Sequence, residues 1–235
     1  MNENFTMSSS LADHFALFSK SYDRVNHVLS LGLDVHWRER LVASVERRPT
    51  PNILDLCAGT LPCTRTMLQR FSDARVMAVD FCHPMLELGR ANIPLHMRSQ
   101  VEIICADALD LNLPSASFDV VVSCFGMRHL EKQEEMLKKI RGWLLPGGQF
   151  LIFDFFRPAT PIAKLFQATV GRYVLPSAAR FFGGFASAYT NLHVSIERFL
   201  TRQEYEGLLV TEGYVVTRSE DMAFGVVSII VAAPL

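Results

Sequence analysis

The stretch LDLCAGTLPC, residues 54–63, decides how this sequence folds. Its beginning belongs to the apolar run NILDLC at 52–57, which predicts a short buried β-strand. Pro62 suits the first position of a helix, because its fixed φ fits the helix and its missing N–H is not needed there. Between strand and helix lies a loop of small residues around Gly59. The stretch therefore predicts a strand, a loop and a helix, the unit from which ligand-binding α/β sheets are built.

The same alternation of strands and helices continues along the chain. Four further apolar segments predict strands, at residues 75–80, 101–107, 118–126 and 149–156. The segments between them predict helices, most clearly the amphipathic stretch at 131–144, which we expect to end at the LPGG that follows it. Apolar strands that alternate with helices predict a parallel sheet that is covered on both faces.

The last third of the sequence departs from this alternation. Residues 157–200 contain no clear strand and predict an irregular, partly helical insertion. A helix over 201–213 then precedes YVVTRSE and FGVVSIIVAA, two strands too close together for a helical crossover, which should pair antiparallel. We therefore predict an α/β fold with a Rossmann-like, seven-stranded, mostly parallel sheet. It has a C-terminal antiparallel hairpin, an N-terminal helical cap and a helical insertion before the last helix.

The whole chain of 235 residues fits a single domain. We expect residues 1–50 to form the helical cap, 51–156 the cofactor-binding core, 157–200 a substrate-covering insertion, and 201–235 the final helix and hairpin. The formal net charge is −1 without a basic stripe, so nucleic acid is not an expected partner. We expect no signal peptide and no transmembrane helix, and five scattered cysteines suit a reducing compartment, which predicts a cytoplasmic protein.

Small and acidic residues follow the predicted strands, at the edge where α/β sheets bind ligands. A loop of small residues before a helix, as after the first strand, favours binding of a carboxylate. An acid after the second strand can accept hydrogen bonds from two ribose hydroxyls. An acid followed by alanine, as after the third strand, can contact the edge of an adenine. The residues at these positions are Gly59, Thr60, Asp80, Asp107, Ala108, Ser123 and Cys124. S-adenosyl-L-methionine carries all three groups, and we expect it as the cofactor. The alternative is that the acids are ordinary loop carboxylates.

Other ligands fit this edge less well. The three-glycine loop of dinucleotide sites is missing, because Leu61 and Cys63 occupy its later positions, and there is no Gly-Lys-Ser/Thr phosphate loop. Four cysteines follow four different strands, and strands about 4.8 Å apart do not bring such ligands together on one metal ion. These are Cys57, Cys82, Cys105 and Cys124. We therefore expect no metal site.

Nearly the whole chain resembles the ubiquinone/menaquinone biosynthesis C-methyltransferase family. The segments similar to that family are YDRVNHVLSLGLDVHWRERL, ILDLCAGT, AVDFCHPML, FDVVVSCFGMRHL, LLPGGQFLIFDFFRP and AYTNLHVSIERF. The cofactor loop alone indicates a methyltransferase, whereas the N-terminal, Phe-Gly-Met-Arg and Ala-Tyr segments indicate a quinone substrate. The resemblance implies transfer of a methyl group to a ring carbon of a polyprenylated quinol. It places cofactor contacts at Thr60, Asp80, Asp107 and Ala108.

The resemblance also assigns substrate-binding residues. Tyr22 and Asn26 belong to a lid beside the cofactor, and Tyr189 lines the quinol pocket; packing roles are the alternative for all three. In the cofactor loop, where the family has Gly-Thr-Gly-Asp, this sequence has Leu61 after Thr60. A leucine there predicts a narrower approach to the methionine end of the cofactor.

The reaction implied by the resemblance needs an anion stabiliser and a base. A ring carbon becomes nucleophilic when a neighbouring hydroxyl loses its proton. Arg128 stays protonated and can stabilise a phenolate. His129, where the family has Asn, belongs to the residue type that exchanges protons near neutral pH, and it is the candidate base. The alternative is that His129 only begins the next helix.

The insertion suggests where the prenyl tail lies. It combines aromatic and aliphatic residues with Lys164, Arg172 and Arg180, which predicts a surface that rests on the inner face of the membrane. The alternative is a cap packed on its own core, and a homodimer is compatible with the sequence.

Rival functions are methylation of oxygen or nitrogen in another small molecule, and cofactor binding without catalysis. We expect demethylmenaquinol as the acceptor. A methoxybenzoquinol is the alternative that the sequence leaves open.

Overall fold

The computed structural model describes residues 26, 27, 30, 32–46, 48–170 and 186–235, with the side chains of 186–191 excepted. Its strands are β1 (Asn52–Leu56), β2 (Arg75–Asp80), β3 (Val101–Cys105), β4 (Phe118–Cys124), β5 (Leu144–Phe155), β6 (Tyr214–Met222) and β7 (Val227–Pro234). Its α-helices are α1 (Leu33–Ala43), α2 (Pro62–Arg70), α3 (His83–Asn92), α4 (Gln133–Trp143), α5 (Pro161–Thr169), α6 (Ala186–Arg198) and α7 (Arg202–Thr211).

The strands form one seven-stranded sheet in the order β3-β2-β1-β4-β5-β7-β6. Strands β1 to β5 are parallel, and β7 runs antiparallel to both β5 and β6. The predicted fold class is therefore confirmed. After β3 the chain crosses to the other side of β1, which makes the carboxyl ends of β1 and β4 the switch point where sheets of this kind bind ligands.

Both faces of the sheet are buried, and this fixes the register of the central strand. Leu54 and Leu56 of β1 pack into one core layer, while Ile53, which precedes Leu54, packs into the layer on the opposite face. All three side chains are fully buried, so a slip by one residue would exchange the two sets of side chains. The loops at the strand ends are consequently held in fixed relative positions.

The start of β5 differs from its prediction. Helix α4 ends at Trp143 as expected, but β5 begins at Leu144 and continues through the LPGG segment, which the sequence placed outside any strand. The pairing between β4 and β5 is irregular there, between Phe118 and Val120. A side chain at Gly148 would approach the carbonyl oxygen of Leu145 to 2.9 Å, so the glycine lets the chain continue in the sheet.

The described parts of the cap and the insertion are helical, as predicted. In the cap, α1 covers the segment before β1, and in the insertion α5 and α6 lie between β5 and α7. Tyr22, Arg172 and Arg180 lie outside the described residues. Of the described helices, none is both long enough and apolar enough to cross a bilayer.

Candidate active site

A cavity of about 1880 Å³ opens at the carboxyl edge of the sheet, beside the switch point. The loops after β1, β2, β3 and β4 form its floor, and α2 and α6 contribute to its walls. Cap residues before and within α1 line another wall. The cavity therefore lies at the edge of the sheet where the sequence predicts ligand binding.

The loop after β1 adopts a strained backbone. Cys57 has φ 57°, Gly59 has φ 54° and Leu61 has φ 62°, so three alternate residues are left-handed. Glycine accepts this conformation freely, whereas the two other residues each lose about 1–2 kcal/mol. Strain of this kind persists only where the surrounding structure holds it in place, and it occurs preferentially at functional sites.

The side chain of Leu61 lies away from the cavity. It is fully buried in a small core cluster with Ala58 and Leu86, and it is absent from the cavity wall. Gly89 of α3 leaves room for it, since a Cβ at Gly89 would lie 2.5 Å from Leu61 Cγ. The expectation that Leu61 narrows the approach to the ligand is therefore wrong, because the left-handed backbone turns the side chain into the core.

The loops after β1 and β4 touch each other at Gly126. A Cβ at this glycine would lie 2.3 Å from Cys57 Cβ and 2.9 Å from Ser123 Oγ. Only glycine allows this contact, which joins the two halves of the cavity floor. Gly126 lines the cavity, and it is not among the cofactor-binding residues that the sequence predicts.

Asp80, the last residue of β2, holds the loop after β1 in place by hydrogen bonding. Its Oδ2 accepts a hydrogen bond from Gly59 N at 2.8 Å, and its Oδ1 accepts one from Cys82 N at 2.8 Å. Burial raises the pKa of this carboxyl group, and the two backbone N–H groups oppose that shift. Each oxygen keeps a further lone pair, so the carboxylate can still accept hydrogen bonds from a ligand in the cavity.

Asp107 and Ala108 form the corresponding turn after β3. Asp107 Oδ1 accepts a hydrogen bond from Leu109 N at 2.9 Å and caps the short 3-10 helix Ala108–Asp110. Ala108 is buried, and both residues line the cavity. Gly59, Thr60, Asp80, Asp107 and Ala108, predicted from their strand-end positions, thus share one cavity wall.

Asp55 lies within β1 and was missed by the sequence reasoning. It is fully buried, it lines the cavity, and its Oδ2 accepts a hydrogen bond from Thr64 Oγ1 at 2.6 Å. Burial raises the pKa of Asp55 to about 7. In the described structure its Oδ1 has no hydrogen-bond partner, and neither has Nε of Arg65, another residue on the cavity wall. An acid inside an otherwise apolar strand was the available sequence signal.

The residues at the end of β4 divide between cavity and core. Cys124 lines the cavity, and its thiol interacts with that of Cys63 on α2. Ser123 is fully buried and is not on the cavity wall, so the structure does not bring it together with the other predicted cofactor residues. Among the residues described, no cluster of three or more His, Cys, Asp or Glu side chains could hold a metal ion.

Arg128 is held rigidly at the cavity wall. Its side chain is 4% exposed and pairs with the fully buried Asp154 through Nη1 at 2.6 Å. Nη1 also donates to the Phe125 carbonyl oxygen, and Nε donates to Ser195 Oγ at 3.4 Å. Burial raises the pKa of Asp154, and the guanidinium of Arg128 opposes this shift. The pair therefore fixes one positive group at the cavity.

His129 lies beside Arg128 in the 3-10 helix Met127–His129, separate from α4. It lines the cavity. Burial, reinforced by the charge of Arg128, lowers its pKa well below the ordinary value. The imidazole is therefore neutral at neutral pH and holds a proton weakly, which argues against the predicted role as general base.

The remaining predicted residues belong to the cap and the insertion. Asn26 lines the cavity next to His27. Tyr189 lies on α6, where its side chain is outside the described residues, as is the whole of Tyr22.

Comparisons with known proteins identify the family that this chain resembles. A family model described as the ubiE/COQ5 methyltransferase family matches residues 5–233. A demethylmenaquinone methyltransferase of Clavibacter sepedonicus is 33% identical over 90% of this chain and 84% of its own. A demethylmenaquinone methyltransferase of Thermus thermophilus is 31% identical over 92% of this chain and 97% of its own.

A solved structure shares the fold at low sequence identity. It is a geranyl diphosphate C-methyltransferase from Streptomyces coelicolor, in complex with Mg²⁺, geranyl diphosphate and S-adenosyl-L-homocysteine. It aligns with a TM-score of 0.65 and 14% identity, over 86% of this chain and 80% of its own.

Proposed function

This chain belongs to the ubiE/COQ5 methyltransferase family, and we propose that it methylates a ring carbon of demethylmenaquinol with S-adenosyl-L-methionine. The resemblance noted in the sequence is thereby confirmed at the level of the family. The observation that carries the proposal is the cavity at the carboxyl edge, where the loop after β1 is tied to the acid that ends β2.

The residues of this edge fit S-adenosyl-L-methionine. When bound, the cofactor supplies an electrophilic methyl group on a positively charged sulfur. We assign its carboxylate to the loop at Gly59 and Thr60 before α2, since a helix N-terminus favours an anion. We assign its ribose to Asp80 and its adenine to Asp107 and Ala108.

Asp55 gives an independent test of this fit. A buried carboxylate oxygen without a partner is costly unless a ligand satisfies it. The cofactor carries an ammonium group next to its carboxylate, and Asp55 lines the cavity beside the loop that we assign to that carboxylate. We therefore add Asp55 to the cofactor-binding residues, as the partner of the ammonium group.

The cavity has room for an acceptor beside the cofactor. Its volume of about 1880 Å³ exceeds the roughly 300–1,000 Å³ typical of a pocket for one ligand. Arg128 is positioned to stabilise the phenolate of the quinol, and the neutral His129 to form a hydrogen bond with it. Asn26 also lines the cavity, and we assign it to the substrate-binding residues.

The acceptor's prenyl tail leads us to propose contact with the inner face of a membrane. Ile162 and Leu165 of α5 are 65% and 69% exposed, and Phe224 at the tip between β6 and β7 is 66% exposed. The ring of Phe166 contacts Phe224 at a centroid distance of 5.1 Å, which brings α5 and this tip together. The tip lies at the carboxyl edge of the sheet, because Val227 of β7 pairs with Phe155 of β5.

The experiment that tests the proposed reaction uses methyl-labelled S-adenosyl-L-methionine and chemically reduced demethylmenaquinone. We expect the label on a ring carbon, where it resists the hydrolysis that removes O-methyl groups. Label on an oxygen or nitrogen would overturn the C-methylation proposal. Cofactor binding without transfer to this quinol or to a methoxybenzoquinol would favour a binding protein.

A further inference from the structure

The proposed methylation releases one proton, and the two residues that we assign to the quinol hydroxyl, Arg128 and His129, do not accept it readily. Arginine stays protonated, so Arg128 cannot take the proton of the quinol hydroxyl. His129 is buried beside that guanidinium, and its protonated form is disfavoured there. Asp55 is assigned to the ammonium group of the cofactor, so we look for the base on the part of the cavity wall that the cap forms.

The cap presents a histidine–aspartate pair at the cavity. His27 Nδ1 lies 2.9 Å from Asp34 Oδ1, and both residues line the cavity. The turn between them brings these residues together, with hydrogen bonds from Gly32 N to the His27 carbonyl oxygen and from Leu33 N to the Ser30 carbonyl oxygen. The pair is thus built into the turn that precedes α1.

The surroundings of Asp34 determine which nitrogen of His27 carries the proton. Asp34 is 5% exposed and also accepts hydrogen bonds from Ser30 Oγ and Arg38 Nη2. Burial raises its pKa, but the bonds from Arg38, Ser30 and His27 outweigh burial and hold the pKa below the ordinary value. An ionised carboxylate only accepts hydrogen bonds, so Nδ1 of a neutral His27 carries the proton and Nε2 keeps a lone pair.

The exposure of His27 suits a group that must exchange protons. Its side chain is 55% exposed, in contrast to that of Asp34, which is 7% exposed. A base at such a position can pass its proton to water after each turnover. The buried carboxylate meanwhile keeps the ring oriented and stabilises the imidazolium that forms.

We propose that His27 is the general base of this site and that Asp34 is its positioning residue. This inference rests on the proposed methylation of a quinol. Nε2 takes the proton of the quinol hydroxyl, and the electron pair of the O–H bond stays on oxygen and enriches the neighbouring ring carbon. That carbon bonds to the methyl group as the methyl–sulfur bond breaks towards sulfur. The ring C–H proton then moves to the oxygen as aromaticity returns, and His27 releases one proton to water.

The matched variants are His27→Gln and His36→Gln. Glutamine can still donate a hydrogen bond to Asp34 but cannot take up a proton at neutral pH. His36 is on α1, its side chain is 61% exposed, and it is not on the cavity wall. We expect His27→Gln to lower kcat about 10²-fold or more, the usual contribution of a general base. Cofactor affinity by calorimetry and the kcat of His36→Gln should stay at the wild-type level.

The pH profile separates catalysis from a structural role. Besides His27 and Asp34, the titratable groups on the cavity wall are Arg38, Asp55, Cys57, Cys63, Arg65, Asp80, Asp107, Asp110, Cys124, Arg128, His129, Glu131, Lys132, Glu134, Glu135, Arg198 and Glu204. All of them remain in the variant, so loss of the rise in kcat with pH on the acidic side points to His27.

Imidazole in the buffer should partly restore kcat in His27→Ala. ¹⁵N NMR of the free wild type should show the neutral ring protonated at Nδ1, and Asp34→Asn should change that spectrum.

The outcomes distinguish this inference from the proposed function. If the wild type methylates the quinol and His27→Gln matches His36→Gln in kcat and pH profile, the role of His27 as base is wrong. A neutral ring protonated at Nε2 would also overturn it. If His27→Gln does not fold, the NMR result and the imidazole response of His27→Ala decide. If the wild type transfers no methyl group to any quinol, the proposed function fails first.

Discussion

The two halves of the cavity are built differently. The half that we assign to the cofactor, the cofactor half, consists of loops at the strand ends, in which Asp80 accepts hydrogen bonds from backbone groups of Gly59 and Cys82. The half that we assign to the acceptor, the acceptor half, combines segments that are distant in the sequence, with Arg128 after β4 and His27 in the cap. The first half is fixed by the register of adjacent strands, whereas the second depends on single side-chain contacts. Substitutions should therefore affect the two halves in different ways.

The largest effect is expected at the ion pair of the acceptor half. Asp154→Ala would leave the buried guanidinium of Arg128 without its carboxylate, which should cost about 3–5 kcal/mol of unfolding free energy in urea titrations. The control is Glu87→Ala, which removes an exposed pair with Arg90 and should cost at most about 1 kcal/mol. Equal losses in both variants would contradict the rigid anchoring of Arg128.

A pH-dependent effect of up to about 4 kcal/mol is expected in the cofactor half, because each pKa unit corresponds to about 1.4 kcal/mol. Asp55 has its pKa raised from 3.8 to about 7 by burial, so the folded state holds this proton more tightly than the unfolded state. The stability from this group is present below about pH 4 and is lost as the pH rises to about 7.

The measurement is Tm across this pH range for the wild type and Asp55→Asn. The wild type should lose stability relative to the variant as the pH rises, and bound cofactor should reduce the difference, because its ammonium favours the ionised acid. Asp73→Asn, at an exposed position, serves as the control and should follow the wild type. Parallel curves for the wild type and Asp55→Asn would show that Asp55 ionises normally.

In the same half, substitution of Leu61 should lower the stability of the protein without changing its affinity for the cofactor. Leu61→Ala should cost about 2–4 kcal/mol in unfolding free energy, because the side chain is fully buried. Cofactor affinity of the folded variant should stay near the wild-type value, since Leu61 does not line the cavity. Markedly tighter binding would restore the earlier expectation that leucine narrows the site.

The difference between the halves also explains what the sequence could predict. The position of Asp80 and Asp107 at one edge could be predicted, because strand ends follow from hydrophobic patterns and parallel strands bring their carboxyl ends to one edge. The direction of the Leu61 side chain depends on a left-handed backbone that leucine rarely adopts, and no pattern indicated it. His27 and Asp34 are seven residues apart, and only the turn between them shows that they pair.

Cofactor binding by the free protein tests the central claim most directly. Calorimetry with S-adenosyl-L-methionine should show binding to the wild type and to Asp73→Asn. Asp80→Asn should bind about tenfold to hundredfold more weakly, since hydrogen bonds to a charged group contribute about 1.5–3 kcal/mol. Equal affinity in all three proteins would contradict the assignment of the ribose to Asp80, and with it the placement of the cofactor at this edge.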